Sequence, residues 1–143
     1  MNKNGPIVII EDDMDDQHLI QEIFSELSYG NEIVFHADGE AALAFINKED
    51  VFPFLILSDI NMPRLNGLEL KKKIHTDAQL QQKCIPYLFF TTSASKRSVI
   101  DAYSMSAQGF FIKETSKDEI KATLRTIVEY WKKCHSPNQY PIA

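Results

Sequence analysis

Phe54-Leu55-Ile56-Leu57-Ser58-Asp59-Ile60-Asn61-Met62-Pro63-Arg64-Leu65-Asn66-Gly67 is the stretch that decides the fold. A short apolar run that stops at an acid and passes into a Pro/Asn/Gly turn reads as a buried parallel strand delivering a carboxylate to the carboxyl edge of a sheet. In open α/β sheets that edge is where sites are assembled. The same acid could equally cap the next helix or form a turn, and on this stretch alone the two readings are even. The rest of the chain separates them.

Working outward, the chain alternates between strands and helices. Ile7 to Ile10 is an unbroken apolar strand that ends in Glu11-Asp12-Asp13, and Leu19, Ile20, Ile23, Phe24 and Leu27 follow at helical spacing. Tyr29-Gly30-Asn31 reads as the C-cap of that helix. Glu32 to His36 is a second strand, and a short helix carries Ala42, Leu43, Phe45 and Ile46. After the strand that ends at Asp59, a helix over Leu68 to His75 leads through a polar stretch to a strand from Tyr87 to Phe90, which runs into Thr91-Thr92-Ser93. A helix around Ser98 to Met105, a strand from Gly109 to Ile112 ending at Lys113, and a last helix complete the order. Ser116 and Glu119 stand at capping-box spacing at the start of that helix, and Ile120, Leu124, Ile127, Val128 and Trp131 form its buried stripe.

Five such units predict an α/β fold, a parallel sheet covered by helices on both faces, because each right-handed crossover must return its helix to the sheet. The 143 residues suit one domain, with a core over about 6–134 and a tail over 135–143. Apolar residues at 44% and charged residues at 24% are an ordinary globular composition. A net charge of −5 argues against non-specific nucleic-acid binding, and the Lys71-Lys72-Lys73 run reads as the solvated face of a helix. Cys84 and Cys134 make neither a disulfide framework nor a zinc motif. No apolar stretch has signal-peptide character or membrane-spanning length, so a cytoplasmic protein without a membrane role is expected.

The strand ends carry the functional reading. Glu11, Asp12 and Asp13, then Asp59, then Thr91, then Lys113 all fall at one edge of the expected sheet. Clustered carboxylates raise one another's pKa and oppose folding unless a cation balances them. Oxygen donors from Asp12 and Asp59, with a backbone carbonyl and waters, suit Mg²⁺. Asp59 can then act as a nucleophile toward an activated phosphoryl group, with Lys113 balancing charge and Thr91 donating its hydroxyl to a phosphoryl oxygen.

These segments resemble the receiver domain of two-component response regulators. The resemblance rests on Ile7-Val8-Ile9-Ile10-Glu11-Asp12-Asp13, on Leu57 through Leu70, on Thr91-Thr92-Ser93 and on Gly109-Phe110-Phe111-Ile112-Lys113. It implies a doubly wound, flavodoxin-like, five-stranded parallel sheet in the order 2-1-3-4-5. It implies a phosphoacceptor at Asp59, with Mg²⁺ held by Asp12, Asp59 and the backbone carbonyl of Asn61 and reached by Glu11 through water. Thr91 falls on the family's switch hydroxyl and Phe110 on its switch aromatic. The implied partners are a sensor histidine kinase or phosphotransfer protein and a downstream protein target.

Three departures stand out. Thr92 is larger than the small residue usual there and is expected to slow access to Asp59. Phe110 has no phenolic hydroxyl, so its inward swing should be a packing event. Glu114 replaces the usual Pro after the Lys, where the family has a cis peptide; a cis bond to a non-Pro residue costs roughly 3–4 kcal/mol. Either the loop keeps that geometry under strain or Lys113 arrives from a rearranged trans loop. The Thr-Thr-Ser run, the missing Pro and the Tyr130-Trp131 helix end also resemble stand-alone receivers that partner bacterial phytochrome kinases.

Other classes meet specific objections. A haloacid-dehalogenase-like phosphatase needs an acid two residues beyond its nucleophile, and that position is Asn61. A flavodoxin-like carrier needs a Gly/Ser/Thr-rich first loop, and this one is acidic. A pseudo-receiver that binds without phosphorylation is the alternative within the fold. The long last helix, with its aromatic end, raises the expectation of a homodimer across the helix near Ser98–Met105, the fifth strand and the last helix.

Overall fold

The computed structural model describes residues 1–137. Its elements are β1 (Ile7–Ile10), α1 (Met14–Leu27), β2 (Ile33–His36), α2 (Gly39–Ile46), β3 (Leu55–Ser58), α3 (Gly67–Thr76), α4 (Ala78–Gln82), β4 (Tyr87–Thr91), α5 (Lys96–Ser104), β5 (Gly109–Ile112) and α6 (Lys117–Lys133). All strand pairs are parallel, in the order β2-β1-β3-β4-β5, which is the order that the resemblance implies.

Alternation along the strands divides the core in two. Val8, Ile10, Ile56, Tyr87 and Phe89 face one way, onto Ala42 and Ile46 of α2, Leu70 and Ile74 of α3 and Ala102 of α5. Ile7, Ile9, Leu55, Leu57, Leu88 and Phe90 face the other way, onto Ile20, Ile23 and Phe24 of α1 and Ile120, Leu124 and Val128 of α6. Strands buried on both faces explain why the sequence reads as solid apolar runs. The edge strand β2 is only half-buried along its length.

Side chains from the loops close the helix starts. Asp13, Asp38, Asn66, Asp77, Ser95 and Ser116 each accept a hydrogen bond from the first turn of the helix they precede, which satisfies backbone donors that otherwise lack partners. Asn66 therefore takes the capping role left open for Asp59. Ser116 accepts from Glu119 N at 3.2 Å, which is one half of the capping box that the spacing suggests; full boxes form instead at Asn66/Glu69 and Ser95/Ser98.

Several expectations change. The first helix stops at Leu27 with Ser28 in the left-handed region at φ 58°, and the C-cap expected at Tyr29-Gly30-Asn31 lies just beyond it. The polar stretch after α3 forms α4, because Asp77 restarts the helix by accepting from Gln79 N and Leu80 N. The Lys71-Lys72-Lys73 run is not uniformly solvated: Lys72 and Lys73 are exposed, but Lys71 is buried on the inner side of α3.

Two tethers hold the ends of the sheet. The Lys83 ammonium donates to the carbonyls of Ile46, Lys48 and Val51 at 2.7, 2.9 and 2.9 Å, gathering the chain between α2 and β3. Met1 is buried, its carbonyl accepting from Ser136 Oγ at 2.6 Å, so the segment after α6 meets the amino terminus. The expected tail, 135–143, extends past the described residues from 138 onward. Among the described residues both cysteines are free and no helix is long and apolar enough to cross a membrane.

Candidate functional site

The sheet register sets the site. Ile10 lies beside Ser58, Ser58 beside Phe89, and Thr91 beside Ile112, so the next residues of β1, β3 and β5 emerge together at the carboxyl edge. Asp59 N donates to Ile10 O at 2.9 Å and Lys113 N donates to Thr91 O at 2.8 Å, extending the ladders by one residue. The carboxylates thus leave from rigid strand ends.

The loop after Asp59 folds tightly. Gly67 N donates to Ile60 O at 2.9 Å, and a Cβ on Gly67 would sit 2.1 Å from the Asp59 carbonyl oxygen. Only glycine allows that approach. Gly39 grips the same loop through Leu65 O at 3.1 Å. Arg64 turns the chain with φ at 66° and pairs with Asp38 at 3.3 Å.

Within this frame, oxygens of Glu11, Asp12 and Asp59 lie within 4.8 Å of one another. Glu11 is buried, Asp12 is exposed and Asp59 is nearly buried. One Asp59 oxygen accepts from Ile60 N at 2.7 Å, while the other lies 3.6 Å from the Lys113 ammonium. Lys113 touches Glu11 directly and lies 3.2 Å from Asp16. Asn61 is exposed and lines a neighbouring cleft of about 240 Å³ with Ile60, Ser93, Ala94, Ser95 and Ser98.

The charges reinforce this arrangement. Desolvation pushes the Glu11 carboxyl up, to about 7, against the opposing pull of Lys113. Burial alone would lower the Lys113 pKa, but contact with Glu11 and the fields of Glu11, Asp59 and Asp16 outweigh it, and the net shift is upward. Lys113 therefore stays an ammonium throughout the physiological range, while Glu11 is the partner drawn toward that range.

Thr91 is fully buried and its Oγ1 has no hydrogen-bond partner. An orphan hydroxyl costs free energy unless a ligand oxygen meets it. Thr92, by contrast, is exposed. Phe110 is half-buried, with its ring 5.8 Å from that of Phe89.

The Lys113–Glu114 peptide is trans, so of the two expected geometries the rearranged loop is the one adopted. Glu114 ties that loop to α6 by accepting from Thr123 Oγ1 at 2.5 Å. Sequence reading missed this contact, and it also missed Asp16. The second had a signal: Asp16 lies three residues after the cap Asp13, a spacing that turns it back over the strand ends.

The model of the response regulator receiver domain matches residues 7–125. The chain belongs to that family. It is 30% identical over 129 residues to the chemotaxis protein CheY-3 of Vibrio cholerae, covering 90% of this chain and 95% of the relative. It is 28% identical over 130 residues to the response regulator Rcp1 of Synechocystis, covering 87% of each. The Mn²⁺-bound structure of Rcp1 superposes with a TM-score of 0.81 at 27% identity, over 93% of this chain and 99% of that one. The phosphorylated cyanobacterial phytochrome response regulator RcpA superposes with a TM-score of 0.84 at 26% identity, over 94% and 99%.

Receiver domains are signalling modules that meet histidine kinases or phosphotransfer proteins and bind Mg²⁺ or Mn²⁺ in an acidic pocket. With the family shown, the phosphatase and flavin-carrier readings fall away. The residues of this receiver fit a hard divalent cation: three carboxylates converge with oxygen donors only, and one cation cannot balance them all.

Proposed function

We propose that this receiver is a single-domain response regulator, one unit over residues 1–143. It takes a phosphoryl group onto Asp59 from a histidine kinase or phosphorelay and signals through protein contact in the cytoplasm. The observation that carries the reading is the Asp59 carboxylate lying 3.6 Å from the Lys113 ammonium at the sheet edge where Thr91 ends β4 with an unpartnered hydroxyl. Asp12, Asp59 and the Asn61 carbonyl would hold Mg²⁺, with Glu11 reaching it through water. That ion supplies charge balance for the acids and the incoming phosphoryl oxygens.

In the transfer, an Asp59 oxygen forms a bond to phosphorus as the bond from phosphorus to the donor breaks, and the donor departs with the electron pair and takes up a proton. Lys113 and Thr91 Oγ1 hold the phosphoryl oxygens as this happens. Water later cleaves the acyl phosphate and restores the carboxylate, slowly, because no acid stands at Asn61 to assist. Phosphorylation draws Thr91 toward the new oxygens and lets Phe110 swing into the core, which changes the surface near α5 and β5.

Intact-mass measurement after incubation with acetyl phosphate tests this. Wild type should gain one phosphoryl mass with Mg²⁺ and none with chelator, and Asp59→Asn should gain none in either condition. Labelling of Asp59→Asn, or labelling that ignores chelator, refutes the assignment.

A further inference from the structure

At the edge of the sheet opposite Asp59, where β4 and β5 begin, lies a cavity of about 570 Å³. Its walls come from α3, α4, the residues just before β4 and β5, and the end of α6. That volume lies in the range of small-molecule sites. Ile74, Leu80, Ile85 and Trp131 make it largely apolar, and Gln108 adds an amide. None of its described lining residues is Asp or Glu.

Lys71 also lines this cavity and is only 6% exposed. Its ammonium sits 5.7 Å over the Tyr87 ring, a cation–π contact, and among the described residues no hydrogen-bond or carboxylate partner meets it. Burial lowers its pKa below the ordinary lysine value, with no neighbouring acid to offset the shift. Lysine is rarely buried unless paired. Most lysines avoid the cost by extending their heads to water, and the neighbouring Lys72 and Lys73 are exposed in that way. Lys71 buries its stem with Gly67, Leu70 and Ile74 on the inner side of α3, so its head meets the cavity.

We propose that this cavity binds a small organic oxyanion with an apolar body, Lys71 supplying the counter-charge and Ile74, Leu80 and Trp131 the walls. The inference stands apart from the phosphoryl chemistry at the other edge of the sheet. A cation held at an apolar-walled cavity, with an aromatic face and no carboxylate beside it, is an anchor for an oxyanion. Trp131 is the only tryptophan in the chain, so occupancy can be read from its emission.

The test titrates the full chain with 4-phenylbutyrate and with its uncharged counterpart 4-phenylbutanol, following Trp131 fluorescence and calorimetry. Phenylbutyrate should bind saturably, and the alcohol about tenfold or more weaker, the scale of one charge-assisted contact. Lys71→Met should lose the preference for the anion, while Lys71→Arg should keep it. Lys71→Met should also melt higher than wild type, because an apolar side chain suits that face, so misfolding is not expected to confuse the result. Absence of saturation at 10 mM, on the order of the weakest useful affinity, overturns the proposal. Equal binding of acid and alcohol does so too, as does unchanged acid binding in Lys71→Met.

Discussion

Replacing Lys113 with Met should expose how much of this receiver's stability rests on one ammonium. The lysine side chain is 6% exposed, touches Glu11 and lies 3.2 and 3.6 Å from Asp16 and Asp59. At 3.6 Å an effective dielectric of about 20 gives roughly 4–5 kcal/mol of gross attraction for the Asp59 pair alone, before the desolvation of either group is subtracted. Removing one partner of a buried set leaves uncompensated charge and costs about 3–5 kcal/mol. For a chain of this length that is a melting temperature roughly 6–20 °C lower.

The loss should depend on pH in a defined direction. The Glu11 pKa is raised in the folded state, to about 7, so its ionisation opposes folding. Its neutral form favours the fold fully below the unfolded value, and that contribution is lost as pH climbs through 7. Without Lys113 the folded pKa rises further, so the deficit of Lys113→Met should grow from pH 5 to pH 8. The assay is urea unfolding at both values, with and without Mg²⁺. Millimolar Mg²⁺ should restore more stability to the variant than it adds to wild type. Adding Glu11→Gln should recover much of the loss, because the buried charge goes with it. A deficit below about 1 kcal/mol at pH 8, the scale of an exposed pair, would refute the reasoning, as would a deficit indifferent to pH and to Glu11→Gln.

Three further outcomes are expected. Asp12→Asn should weaken Mg²⁺ binding, followed by calorimetry, more than Glu11→Gln does; equal effects would remove Asp12 from the ligand set. Thr91→Ala should still take up phosphate at Asp59 but lose the phosphorylation-dependent change in amide exchange over α5, and a normal response would dismiss Thr91 as the switch. Ile100, Tyr103, Ile112 and Tyr130 are exposed on α5, β5 and α6, the elements across which a homodimer is expected. Light scattering with beryllofluoride should therefore show a mass increase at tens of micromolar, on the order of a weak interface, and a monomer in every condition would discard the dimer.

What was legible in the sequence was whatever a strand end announces. Glu11 and Asp59 follow directly from runs such as Leu55-Ile56-Leu57, whose burial on both faces forbids charged residues until the strand emerges, and Thr91 and Lys113 mark the ends of β4 and of the half-buried edge strand β5. Asp59 itself was undecided on local grounds, and Asn66 resolved it by taking the cap. Harder to see were contacts made across long separations. Lys113 reaches Asp16 over 97 residues, and Lys71 looked solvated because its neighbours are. A run of like charges is read as a unit, but a helix turns each member about 100° from the last, so one of three can face inward.

The Lys83 ammonium is to the segment between α2 and β3 what a bound metal is to a loop of carbonyl oxygens. The cation, however, is covalently part of the chain, cannot be chelated and has a nitrogen that can be acylated. Its positive charge also sits at the end of α2, where the peptide dipoles are negative. Acetylation of this one amine would remove its charge and leave a single N–H where three now serve the carbonyls of Ile46, Lys48 and Val51, loosening the segment they hold. The connection between α2 and β3 thus has its order set by the charge state of a single side chain, at the opposite end of the strands from Asp59.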